Sequence, residues 1–141
     1  MYPQEIVQPM KEELTDNGFQ ELLTSTEVDD QLHKTGTTLV VVNSVCGCAA
    51  GMARPAVAMA MQHDVKPDKM ITVFAGNDRE ATARAREYFT GFRPSSPSIA
   101  LMRDGEVVKM IERWQIEGRD PQSIAGDITA AFDQYCAKAT A

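Results

Sequence analysis

Two cysteines one residue apart, in the run Val45-Cys-Gly-Cys-Ala49, are the side chains of this sequence best equipped for chemistry. They follow an apolar β-branched run, Thr37-Thr-Leu-Val-Val-Val-Asn43, and precede a small-residue segment, Ala49 to Ala60, that reads as a helix. The spacing therefore predicts thiols at a strand-to-helix junction. A helix start offers unpaired N–H groups and partial positive charge, and both favour a thiolate. Free cysteine has a pKa of about 8.5, and such positions lower it to roughly 3.5–7.5. The thiolate is the attacking species in thiol–disulfide exchange. Cys46, at the strand end, is expected to be the more exposed and to attack; Cys48 should be partly covered by the helix. An internal bridge would close a ring spanning Gly47 alone. Glycine permits the backbone angles such closure demands, and a strained ring is easily reduced. The pair thus predicts a relatively oxidising couple, or a largely monothiol cycle on Cys46.

Other side chains offer less. The bland alternative for the pair is two small, inert, buried residues. A structural zinc site wants four ligands. Only Cys136, His33 and His63 could complete one, and they lack ligand spacing, so no metal is expected. Cys136 reads as a packed helix residue, or as a further redox thiol or an intermolecular link. Arg54 is either a solvated helix arginine or a cation that attracts an anionic small thiol or steadies the Cys46 thiolate. Trp114 either borders the site or covers a sheet edge.

The 141 residues fit one domain with a real core. Composition is ordinary, 43% hydrophobic and 24% charged, with a net charge of −6 and scattered Arg and Lys. Binding of nucleic acid through a basic face is therefore not expected. No apolar run approaches the roughly 20 residues that span a bilayer, so no membrane partner is expected. Met1-Tyr-Pro-Gln-Glu-Ile lacks a basic start leading into an apolar core. The expected compartment is the cytoplasm, where dithiol pairs are usually catalytic or sensing. The sequence leaves the oligomeric state open, a homodimer included.

The elements that must position the thiols follow from periodicity and punctuation. Gln4 to Asp16 has Val7, Met10 and Leu14 at helical spacing, ended by Asn17-Gly18. Thr24-Ser-Thr-Glu27 has capping-box spacing and predicts a helix to Lys34. After strand 37–43, a helix should reach about His63, kinked or started late by Pro55. Lys69–Phe74 reads as a strand; Asn77, three before Glu80, predicts a capped helix to about Thr90. Ser98–Arg103 and Glu106–Ile111 read as strands joined by Asp104-Gly105, a strong hairpin signal. Asp120-Pro121 should open a last helix reaching Lys138. The expectation is one α/β domain over residues 1–141. It has a four-stranded mixed sheet with helices on both faces, and residues 1–35 form an N-terminal helical extension.

The stretch Val40-Val-Val-Asn-Ser-Val-Cys-Gly-Cys-Ala-Ala-Gly51, with Ala53-Arg-Pro-Ala56 behind it, resembles the bacilliredoxin family. So do Val73-Phe-Ala-Gly76, Arg86-Glu-Tyr-Phe-Thr-Gly91, Ser95-Ser-Pro-Ser98 and Ile116-Glu-Gly118. The resemblance covers nearly the whole chain. It implies a thioredoxin-like fold and an enzyme that removes bacillithiol from S-bacillithiolated proteins. Bacillithiol is then a low-molecular-weight thiol co-substrate, with no bound cofactor. Cys46 matches the family's attacking cysteine, Cys48 its partner, and Cys136 a late cysteine. Pro97 takes the place of the cis-proline that faces the site in thioredoxin-like proteins; read from the residues alone, it either starts a strand or, as a cis-proline, orients the preceding backbone to pair with an extended substrate. With Arg54, it completes the expected substrate contacts. A general disulfide isomerase and a non-enzymatic redox sensor are compatible with the same cysteines.

Overall fold

The computed structural model describes residues 2–33 and 35–136. The strand after the second helix is the spine of the molecule. Here called β2, Thr37–Asn43 is buried at every residue. It pairs in parallel with β3, Lys69–Phe74, on one side and antiparallel with β4, Ser98–Arg103, on the other. A strand flanked on both sides and covered on both faces must read as a continuous apolar run, and this one does.

Successive side chains of a strand point to opposite faces. Leu39 and Val41 face one core with Ile99, Leu101 and Ile111. That core is covered by α1 (Gln4–Thr15), α3 (Arg54–Ala60) and α6 (Pro121–Tyr135), through residues such as Leu14, Val57, Ile128 and Phe132. Val40 and Val42 face a second core with Ile71, Val73, Ala100 and Met102. Here the cover is α2 (Ser25–Leu32) and α4 (Arg79–Glu87), through Val28, Leu32, Ala81 and Ala85.

The sheet has five strands, not four, in the order β1-β3-β2-β4-β5. The extra strand is β1, Gln20–Glu21, which runs parallel to β3 at the edge. The segment expected to be a helical extension thus supplies part of the sheet. Buried Lys11 of α1 ties it down by ion pairs to Glu21 and Asp78. On the far side β5, Glu106–Ile111, pairs antiparallel with β4. Asp104 and Gly105 between them have φ of 53° and 85°, the two positive values that a type I′ hairpin turn requires.

Local signals place most helix starts. Thr24 and Glu27 form the reciprocal capping box, and Asp120 accepts from the Ser123 N–H. Asn77 does not cap α4; Asp78 holds the cap position, without a side-chain bond. The Asn77 side chain instead binds the backbone of Tyr2, Oδ1 accepting from its N–H at 2.8 Å. A short helix, α5, Arg113–Ile116, precedes α6 and carries no strong sequence signal. The expected helix ends at Lys34 and Lys138 lie outside the described residues.

Phe132 is fully buried in the first core. Phe132→Ala is expected to cost about 3–5 kcal/mol of stability. Urea unfolding would show a lower midpoint with unchanged slope.

Candidate active site

At the C-terminal end of β2 the chain turns helical at residues 47–48. It then widens into a π-helical stretch, Ala49–Ala53, before tightening into α3. The widening has a local cause. Pro55 has no N–H to give the Gly51 carbonyl, and its ring would crowd that group in a regular helix. Arg54 N–H reaches back five residues to Ala49 O instead. The expected kink at Pro55 is thus a wider turn directly behind the cysteines.

Cys46 and Cys48 are both free and half-buried. Cys48 and Met52 pack against the first core. The Ser44 hydroxyl donates to Cys46 Sγ at 3.2 Å. The Cys46 carbonyl accepts from both Ala49 and Ala50 N–H at 3.1 Å. Burial opposes ionisation of Cys46, yet its pKa falls below the ordinary thiol value. The Ser44 hydroxyl, the N–H groups of Ala49 and Cys48, and the positive charge of Arg113 together outweigh burial. For Cys48, burial pushes the thiol up, and the negative charges of Cys46 and Glu117 push the same way. The two thiols are therefore differentiated, the first prepared to ionise and the second to stay protonated.

Arg54 is not solvated and cannot contact a substrate from solution, because it is only 3% exposed. Its Nη1 donates to Asn43 Oδ1 at 3.0 Å and to Ser44 O at 2.8 Å, and its Nε to Glu13 at 2.8 Å. Asn43 Oδ1 also accepts from Ser44 N–H at 2.9 Å. The guanidinium therefore holds the Ser44 loop, whose hydroxyl in turn meets Cys46. Arg54 is a positioning residue, and the expected substrate contact is withdrawn.

A cavity of about 350 Å³ opens beside Cys46, walled in part by Tyr2, Ser44, Arg86, Ser96 and Arg113. The Ser96–Pro97 peptide bond is cis. Pro97 itself is buried, and Ser96 faces the cavity. Arg113 Nη1 donates to Ser96 O at 3.2 Å, and its Nε to Glu117. Trp114, next along, is 72% exposed and so covers no sheet edge. Cys136 closes α6 at the margin of the first core, where burial pushes its thiol up. Arg86 and Arg113 are the site residues that sequence reasoning misses. Nothing in their spacing announces a site, since the fold brings them to Cys46 from far along the chain.

Comparison with solved structures gives the fold. A thioredoxin of Malassezia sympodialis superposes with a TM-score of 0.60 at 17% identity, covering 84% of this chain and 91% of that one. A thioredoxin variant of Halobacterium salinarum gives 0.58 at 20%, covering 88% and 96%. These likenesses show the fold, a thioredoxin fold, and the thiols lie where its central strand β2 gives way to a helix. Sequence relatives narrow this. A model of the disulphide isomerase family matches residues 2–136. A bacilliredoxin of Halalkalibacterium halodurans is 54% identical over 132 residues, 94% of this chain and 91% of that protein. One from Staphylococcus aureus is 50% identical over 136 residues, 96% and 94%. The chain belongs to the bacilliredoxin family of thiol–disulfide oxidoreductases.

Two variants test the geometry. Ser44→Ala removes a donor to the thiolate, so the Cys46 pKa rises. Iodoacetamide alkylation in a Cys48→Ser, Cys136→Ser background should then slow at every pH below the new midpoint. An unshifted midpoint would refute the role given to Ser44. Arg54→Lys offers one ammonium to three spread acceptors. It should lose about 1–3 kcal/mol of stability and also raise the alkylation midpoint, although the substituted side chain carries the same charge.

Proposed function

We propose that this protein removes bacillithiol from S-bacillithiolated proteins, in the cytoplasm, with Cys46 as nucleophile. The observation that carries the reading is the asymmetry of the pair, Cys46 eased toward the thiolate and Cys48 held as the thiol. Cys46 attacks the mixed disulfide, takes the small thiol and releases the client protein's cysteine. A second thiol, from bacillithiol in solution or from Cys48, then regenerates Cys46. The backbone before Pro97 lies along the same cavity and is suited to align an extended client segment. The name of the Staphylococcus aureus relative, bacilliredoxin, supports the choice of small thiol. A general isomerase would instead act on protein–protein disulfides, and a sensor would react once and stop.

The test presents one client protein carrying either bacillithiol or glutathione as a mixed disulfide. Multiple turnover should be faster with bacillithiol and vanish in Cys46→Ser. Cys48→Ser should accumulate a Cys46 adduct visible by intact mass. Equal rates for the two thiols, or full activity in Cys46→Ser, would sink the assignment.

A further inference from the structure

The cavity beside Cys46 holds more positive charge than the thiol accounts for. Its volume of about 350 Å³ suits a small molecule. Arg86 and Arg113 stand in its wall, and among the described residues no aspartate or glutamate does. This is a local excess of cations on a chain of net charge −6.

One of the two is already engaged. Arg113 interacts with Glu117 and with the charge on Cys46. Arg86 has no such counterpart among the described residues. It reaches the cavity from α4, and its Nη2 donates to Ser95 O at 3.3 Å. Its Nε is shut off from solvent and meets no acceptor among the described residues. None of the ion pairs among the described residues includes it. Burial disfavours its charged form. A half-buried cation without counter-ion or full hydrogen bonding is destabilised where it stands. An anion seated in the cavity supplies the counter-charge that Arg86 lacks among the described residues, and the guanidinium fork matches a carboxylate.

We propose that this cavity seats the small-thiol half of the mixed disulfide and selects thiols that carry a carboxylate, with Arg86 as the anion-binding residue and Arg113 in support. The inference rests on the reading of Cys46 as nucleophile toward such disulfides. Seating decides which sulfur is attacked. The Cys46 thiolate bonds to the sulfur of the seated small thiol. The bond to the client sulfur breaks, and its electron pair leaves with the client cysteine as a thiolate, which takes a proton from water. One disulfide is exchanged for another, with no net oxidation. The cavity is far too small for a folded client, whose cysteine stays at the rim.

The experiment uses one peptide in three mixed disulfides, with mercaptosuccinate (an anion), thioglycerol (neutral) and cysteamine (a cation). Release of the peptide thiol by the full chain is followed at low ionic strength. Rates should fall in that order, the anion leading the neutral compound by about tenfold, as expected for a charge-assisted contact. The lead should shrink as salt is added. Intact mass should find mercaptosuccinate, not peptide, on Cys46. Arg86→Gln should bring the anion-to-neutral ratio toward one while the Cys46 alkylation midpoint stays in place, and Arg86→Lys should restore part of it. Equal rates in the unsubstituted protein would overturn the inference while leaving the proposed activity standing. No release from any of the three would overturn both. A ratio unchanged in Arg86→Gln would remove Arg86 from the site.

Discussion

Arg54 is a permanent positive charge placed where water barely reaches, and the active end of the fold is arranged around that constraint. Burying a guanidinium is tolerable only when its donors find acceptors. Here they come from three directions: Glu13 on α1, Asn43 at the end of β2, and the Ser44 carbonyl in the loop that follows. Asn43 extends the network by donating to Met10 O at 3.1 Å. One planar group thus fixes how the first helix, the central strand and the cysteine loop meet. Cys46 inherits its surroundings from this arrangement, through Ser44.

The rest of the fold supplies distance and direction. β2 is clamped by neighbours on both edges and by helices on both faces, so its end cannot drift. Around that end the cavity is gathered from stretches remote in sequence: Tyr2, Cys46, Gly76, Arg86, Ser96 and Arg113. Gly76 has φ of 88°, and a Cβ there would come within 3.3 Å of the Tyr2 ring. Its lack of a side chain lets the ring lie against the sheet end. Both arginines also hold the loop before Pro97, Arg86 through Ser95 and Arg113 through Ser96.

Features written in neighbouring residues were legible. The thiol pair at its junction, the Thr24 capping box, the Asp104-Gly105 turn and the strand bounds 37–43, 69–74, 98–103 and 106–111 all depend on spacing within a few positions. Two residues of edge strand carry no periodicity, so β1 leaves no local signal and the sequence alone yields a sheet one strand short. Asn77 fits the local pattern of a cap, but a contact with Tyr2, 75 positions away, takes its side chain. Arg54 looks like any helix arginine until tertiary packing buries it. Arg86 and Arg113 acquire meaning only from the cavity, which exists in no local window of sequence.

The donors around Cys46 have a thermodynamic consequence for the whole chain. Ionisation is easier in the folded protein than in an unfolded one, so by linkage the thiolate stabilises the fold. That contribution is complete above the unfolded thiol pKa and fades as pH falls through the lower, folded value. A sulfur already bonded to a small thiol has no proton to lose and forgoes it at every pH. Wherever Cys46 is ionised, this contribution is present in the free enzyme and missing from the covalent intermediate, so thiolate stabilisation taken by itself favours discharge of the adduct.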